Sequence, residues 1–307
     1  MINGKVYSGS EIDFSIYNAQ DRLEPRKLLM CTPEHYDIVD VKNPYMENNI
    51  KTVSRTAAKR QWKALRDVYM KLWENKLLDE VVLINGQEGM EDMIFVANQT
   101  FPWLTKSGEK VVVLGKMKHE SRQREVPYFA EFFEKNGYRT IELKNTDLFE
   151  GTGDTVSHIG KRLLYGGYGY RTDKNAFSEL AEVLDIPIVA LELVDDRFFM
   201  LSMCFLPLDV DTVMILPDAF SFESYSIIKH MFKNVIRIPD FEAMKYFSLN
   251  AHTLHDRKTR NKTVIMQYGS SLSYHALAEQ GYNIIEVDTS EFMKSGGSVY
   301  NMKLMLY

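Results

Sequence analysis

Lys262-Thr263-Val264-Ile265-Met266, then Ser271 to Gln280, then Asn283-Ile284-Ile285-Glu286-Val287 read as a strand, a helix and a second strand in direct succession. The outer runs are short, apolar and rich in β-branched residues, and the middle one is long enough for a helix. The succession recurs upstream. Arg55 to Leu77 carries Trp62, Leu65, Val68, Leu72 and Trp73 at three- and four-residue spacing, the stripe of an amphipathic helix, and leads into a strand at Glu80 to Ile84. A strand at Val111 to Leu114 is followed by a helix near Pro127 to Asn136, with Gly137 placed as its stop, and by a strand at Arg139 to Leu143. Next come a strand at Arg162 to Tyr165, a helix from Lys174 to Leu184, and strands at Ile186 to Leu191 and Arg197 to Leu201. Strand Thr212 to Leu216, helix Phe222 to Phe232 and strand Val235 to Ile238 make another unit, and a strand at Val299 to Met305 closes the chain.

Four or five repeats of roughly 50 residues, each mixing strands with one helix, point to an α/β protein built by radial repetition rather than to a doubly wound sheet. No G-x-G-x-x-G follows a first strand, so a dinucleotide-binding reading lacks its main support. Small mixed sheets arranged five-fold would gather their loops around one central channel, which is where a site is expected. The length of 307 residues suggests two domains at about 150 residues each. No Pro/Gly/Ser-rich linker or low-complexity tract divides the chain, however, and charge is spread evenly, so a single domain over residues 1–307 is expected.

Composition narrows the function. Hydrophobic residues make up 45% and charged residues 26%, enough for a large core, and a net charge of −5 argues against a protein that neutralises many phosphates. Nucleic acid is not an expected partner. The two cysteines, Cys31 and Cys204, are too few for a disulfide framework and form no C-x-x-C pair, which fits a reducing compartment. Residues 1–14 lack the apolar core of a signal peptide, and no apolar run approaches the roughly 20 residues needed to span a bilayer. A cytoplasmic protein with no membrane partner is expected.

Taken singly, the polar loops name no chemistry. Phe149-Glu150-Gly151-Thr152-Gly153-Asp154 sets two carboxylates in a glycine-relieved turn that could approach a ligand, and equally reads as an ordinary acidic loop. Gly166 to Asp173 reads as a tight turn with Asp173 capping the next helix, or as a loop presenting Arg171 to a carboxylate. His252 and His255 stand three apart, but the neighbouring Asp256-Arg257-Lys258-Thr259-Arg260 looks like a polar hairpin turn, so no metal is expected. Ser and His occur without a G-x-S-x-G elbow.

In series they say more. Met30-Cys31-Thr32-Pro33, Asn43-Pro44-Tyr45-Met46, Phe95-Val96-Ala97-Asn98, Ser121-Arg122-Gln123-Arg124-Glu125, the Glu150 loop, Gly169-Tyr170-Arg171-Thr172-Asp173, the run from Phe205 after Cys204, and Gly296-Gly297-Ser298 follow in one order over nearly the whole chain. This order resembles the guanidine-modifying, or pentein, superfamily, and within it the dimethylarginine dimethylaminohydrolases and arginine dihydrolases, with amidinotransferases and arginine deiminases more distant. The resemblance implies a five-bladed α/β propeller in one domain. It also implies a chemistry in which a cysteine thiolate attacks the guanidinium carbon, a histidine moves protons and carboxylates grip the guanidinium, with no cofactor.

Two positions depart from that pattern. Where the relatives carry histidine in a segment like H-L-D-T before C-F, this chain reads Met200-Leu201-Ser202-Met203-Cys204-Phe205. Where they carry cysteine in a segment like G-G-S-x-x-C-M, it reads Gly296-Gly297-Ser298-Val299-Tyr300-Asn301-Met302. A carboxamide offers no thiolate and a thioether moves no proton, and losing a nucleophile alone can cost about 10^6 in turnover. The resemblance assigns Glu150 to the guanidinium, Arg122 and Arg171 to the carboxylate end of an amino acid, and Asn43 and Asn98 to the asparagines of the dihydrolase branch. The expectation is a protein that binds arginine or a related amino acid without the usual chemistry, as a sensor, regulator or assembly partner, alone or in an oligomer. The alternative is an active hydrolase or transferase with a non-standard nucleophile, with His252 as one guest residue.

Overall fold

The computed structural model describes residues 2, 4–9, 12–256 and 261–307. They form two compact units, one of residues 1–25, 98–237 and 307, the other of residues 26–97 and 238–306. The first unit holds three sheets and the second holds two.

All five sheets follow one plan. A central strand pairs antiparallel with one neighbour and parallel with the other, and a helix makes the parallel crossover, as parallel pairing demands. In the first unit the crossover helices are Val126–Lys135, Lys174–Leu184 and Phe222–Met231, between central strands Lys110–Leu114, Leu164–Tyr168 and Thr212–Ile215 and their parallel partners Arg139–Ile141, Ile188–Glu192 and Asn234–Arg237. Val6–Tyr7 adds a further parallel strand on Ile188 and Val189. In the second unit helix Arg55–Glu74 joins Lys27–Cys31 to Glu80–Ile84, and helix Ser271–Glu279 joins Lys262–Gln267 to Asn283–Val287. The expected repeat of mixed strand-helix units is therefore present five times.

Burial explains the elements. Helix Arg55–Glu74 buries Trp62, Leu65, Tyr69 and Leu72 along one stripe, and the Ser54 hydroxyl caps its start by accepting from the Ala57 amide. Trp73, expected on that stripe, is 42% exposed and donates its Nε1–H to the Asp79 carbonyl instead. In the first unit Phe101, Trp103, Val111, Val113, Phe149, Leu164, Phe177 and Leu180 close into one core.

Three strand assignments are corrected. Arg197 to Leu201 is not a strand: the Asp195 carboxylate accepts from the Arg197 amide, an Asx turn that winds Asp196–Phe198 into a 3-10 helix, followed by a second one at Leu201–Met203. The closing strand is only Leu304–Leu306, because Val299 to Met302 form a turn bonded to Asn250. The expected strand at Arg162 to Tyr165 lies at Leu164–Tyr168, so Gly166 and Gly167 are strand rather than loop. A Cβ at Gly166 would stand 2.6 Å from the Phe177 ring, so glycine there lets the crossover helix approach its sheet closely.

Candidate ligand-binding site

In the first unit the loops at one end of its strands bring Asn98, Arg122, Glu150, Arg171 and Met200 together through a chain of hydrogen bonds. Glu150 is fully buried, and both its carboxylate oxygens accept from Nη1 of Arg171 at 3.3 Å. Oε1 also accepts from the Lys118 amide at 3.1 Å, and the Arg171 guanidinium lies 4.6 Å from the centre of the Phe199 ring. With both partners buried, the ion pair depends on such added contacts. The Glu150 amide donates to the Thr172 hydroxyl, which in turn donates to Oδ2 of Asp154 at 2.8 Å. Asp173 does not cap its helix with its side chain; its Oδ2 accepts from the Asp147 and Leu148 amides and so pins the segment ahead of Glu150.

A second ion pair flanks the first. Arg122 donates from Nε and Nη2 to Oε2 of Glu125 at 3.3 and 3.2 Å, and Gln99 donates to the same oxygen at 2.6 Å. Nη1 of Arg122 donates to Oδ1 of Asn98 at 3.2 Å, and Nδ2 of Asn98 points at the Met200 sulfur at 3.0 Å. Thus Asn98 bridges an arginine and a thioether. The contact requires a glycine: a Cβ at Gly153 would fall 2.4 Å from Nδ2 of Asn98 and 2.9 Å from Sδ of Met200.

Asp154 is fully buried, with its carboxylate on the Thr172 hydroxyl and the Leu201 amide. Burial pushes its carboxyl up to about 7, against the lowering effect of the Leu201 amide and the Thr172 hydroxyl; the charge of Glu150 adds to the rise and that of Arg171 opposes it. Near neutral pH the Asp154 carboxyl is therefore poised between its two forms, beside the Arg171–Glu150 and Arg122–Glu125 contacts. The cluster thus sets charged groups of both signs side by side, and the sulfur it holds is a thioether rather than a thiol. Burial, with smaller contributions from Asp154 and Asp195, pushes the Cys204 thiol well above its ordinary range.

The second unit places the other two expected residues, each by itself. Asn43 is spent on the backbone: Oδ1 accepts from the Tyr45 amide and Nδ2 donates to the Ser295 carbonyl at 2.9 Å. Asn301 is buried, and its Oδ1 accepts from Nδ2 of Asn250 at 2.6 Å. Oδ1 of Asn250 accepts from the Ser298 and Asn301 amides, fixing the turn after Gly296 and Gly297.

His252 and His255 lie on one strand, three residues apart and so on opposite faces, which rules out joint ligation; the hairpin turn expected at Asp256 to Arg260 falls largely on residues 257–260, outside those described. His252 is buried against the Tyr69 hydroxyl at 3.1 Å, and burial, aided by Lys303, holds it well below its ordinary range. Among the described residues no group of three or more His, Cys, Asp or Glu side chains could hold a metal. Cys31 sits in a strand, Cys204 just before one, and neither forms a disulfide.

The sequence offers Asp154 only as the second carboxylate of the Glu150 loop, and gives no separate signal for Glu125 or Gln99. Asp154 and Glu125 stood inside the motifs quoted for their neighbours, but only the fold shows that burial raises one and that the other pairs with Arg122.

Over residues 39–306 the chain matches the family described as "N,N dimethylarginine dimethylhydrolase, eukaryotic". It is 36% identical over 273 residues to the bifunctional arginine dihydrolase/ornithine cyclodeaminase AgrE of Nostoc, covering 89% of this chain but 36% of AgrE, so it spans about a third of that relative's length. It is 30% identical over 274 residues to the N(G),N(G)-dimethylarginine dimethylaminohydrolase of Mycobacterium tuberculosis, covering 89% of this chain and 83% of the enzyme. Among solved structures, the product-bound N-terminal domain of ArgZ, an arginine dihydrolase from the ornithine-ammonia cycle in cyanobacteria, superposes with a TM-score of 0.83 at 33% identity over 92% of this chain and 98% of that domain. The chain belongs to the N,N dimethylarginine dimethylhydrolase family of the guanidine-modifying superfamily, and its five mixed sheets are of the α/β pentein type.

Proposed function

We propose that this protein binds arginine or a related amino acid in the cluster around Glu150 and Arg171 without hydrolysing or transferring the guanidino group, and acts as a sensor, regulator or assembly partner. The observation that carries the reading is the contact between Met200 and Asn98: a thioether, unable to move a proton, lies against one of the polar residues that the resemblance assigns to the ligand. The carboxamide of Asn301, in the segment where the resemblance expects the nucleophile, is held by Asn250. The binding residues Asn98, Arg122, Glu150 and Arg171 are all buried, as a desolvated amino-acid site requires. A ligand guanidinium would have to replace Arg171 on Glu150, and a ligand carboxylate would then receive the displaced arginine. The five sheets are read as the five blades of one pentein domain over residues 1–307, in a cytoplasmic protein that works alone or in an oligomer.

An active enzyme with a non-standard nucleophile is the weaker reading, because the Cys204 thiol is pushed away from the thiolate and His252 is buried on Tyr69. Calorimetric titration with arginine, dimethylarginine and agmatine tests the proposal, with Glu150→Ala as control. Saturable heat that the variant loses is expected. Absence of heat with every guanidino compound would remove the ligand and leave only a scaffold.

A further inference from the structure

In the first unit, helix Phe222–Met231 packs Ser224, Ile227, Ile228 and Met231 inward, and the Ser221 hydroxyl caps its start by accepting from the Ser224 amide at 3.3 Å. That leaves Phe222, Glu223, Ser226, Lys229 and His230 on one outward stripe, at the spacing of a helix face. Phe222 is the anomaly. It is 85% exposed, and among the described residues no other large apolar side chain is as exposed. Beside it lies a groove of about 350 Å³, lined by Phe222, Ser226, Ile227 and His230 of the helix and by Ile12, which shares no residue with the cluster around Glu150. Val194, whose amide donates to the Ala219 carbonyl just ahead of the helix, adds a second half-exposed apolar side chain. Isolated exposed apolar residues are ordinary, but an exposed aromatic ring beside an apolar groove marks a contact surface.

The stripe is complementary to itself. Its charges are divided by position, with Glu223 in the first turn and Lys229 and His230 in the last. Neither Glu223 nor Lys229 forms an ion pair with the described residues; the Lys229 ammonium lies 4.7 Å from the centre of the Tyr225 ring, and His230 donates from Nε2 to the Phe14 carbonyl at 3.3 Å. Glu223 and Lys229 stand equally far from Ser226 on either side, and so do Phe222 and His230. Two such helices crossing antiparallel at Ser226, whose small side chain admits close approach, therefore set Glu223 of each against Lys229 of the other. The same crossing carries Phe222 of each over the His230 end of the other's groove. A parallel crossing would oppose Glu223 to Glu223 and lose both contacts.

We propose that this protein forms a two-fold dimer with a second copy of itself through helix Phe222–Met231, Phe222 of each protomer seated in the partner's groove and the two Glu223–Lys229 pairs fixing the antiparallel direction. The ring supplies the adhesion, because an aromatic side chain filling a partner's pocket is the usual anchor of an interface. The exposed ion pairs supply direction more than strength. One short helix is a small contact face, so the dimer is of micromolar affinity rather than obligate. The assembly does not depend on what the Glu150 cluster binds.

Sedimentation velocity of the full chain from about 1 to 100 μM reads the mass in solution. A concentration-dependent rise to the dimer is expected, and Phe222→Ser should weaken it at least tenfold. Two charge variants, Glu223→Lys and Lys229→Glu, then test the arrangement itself; both positions are exposed, so the fold should stand, which circular dichroism checks. Each variant alone opposes like charges across the two-fold axis and should sediment as a monomer. Mixed in equal amounts, the two restore both pairs and should sediment as a dimer. A wild-type chain that stays monomeric throughout the series, single variants that dimerise as the wild type does, or a mixture that stays monomeric would overturn the proposal.

Discussion

The sulfur of Met200 lies 3.0 Å from Nδ2 of Asn98, whose Oδ1 is held by Arg122 at 3.2 Å, so a residue with no acid-base capacity is built into the hydrogen-bonded network of the cluster. Space for this contact comes from Gly153. Ala at 153 should push its Cβ against both atoms and cost about 1–3 kcal/mol, the usual penalty of overpacking. Urea denaturation measures it, and adding Met200→Ala should recover part of the loss, the rest staying with Asn98; unchanged stability in the Gly153→Ala variant would contradict the clash.

Arg171 and Glu150 should behave as one unit. Replacing Arg171 with Met leaves a fully buried carboxylate without its cation, which typically costs about 3–5 kcal/mol. Glu150→Gln in the same chain should relieve part of that cost, giving a coupling of about 1–3 kcal/mol in a double-mutant cycle. Additive effects would mean that the pair does not interact in solution.

Asp154 should make stability fall as pH rises. Its folded-state pKa is raised to about 7 from 3.8, so the proton is bound more tightly in the folded state, and the resulting stability is present below pH 3.8 and lost as pH climbs through 7. Asp154→Asn removes this penalty. Relative to wild type, the variant should gain up to about 4 kcal/mol between pH 4 and 8, read from chemical denaturation at each pH.

How much of this was legible in the sequence depends on the kind of contact. Helices such as Lys174–Leu184 and strands such as Asn283–Val287 announced themselves, because apolar spacing and burial coincide there. Arg197 to Leu201 misled, since its apolar run is overruled by one side-chain bond from Asp195 to the Arg197 amide. Gly166 and Gly167 suggested a loop because glycine disfavours strands, whereas their role is to admit Phe177 and Leu201. In the site, Glu150 and Arg171 were read as separate ligand contacts; that they pair with each other is a long-range fact that spacing does not carry. The rise of Asp154 was invisible for the same reason, being a consequence of burial.

His158 should add an acid-side weakness. It is buried between the Tyr165 hydroxyl and the Val210 carbonyl, and burial lowers its pKa from 6.5 to about 4. The unfolded chain therefore takes the proton first, and stability falls as pH drops from 6.5 towards 4, by about 3 kcal/mol at most. In His158→Gln the fall over this window should be smaller by that amount; an unchanged slope would show that other groups set it.

The central claim is binding without turnover. The most direct measurement incubates the purified chain with saturating arginine and dimethylarginine and quantifies citrulline, ornithine and ammonia, alongside equilibrium binding in the same samples. The account predicts occupancy by at least one of these ligands with product no faster than in buffer alone. Citrulline, ornithine or ammonia appearing at rates normal for an enzyme, and abolished by Glu150→Ala, would contradict it.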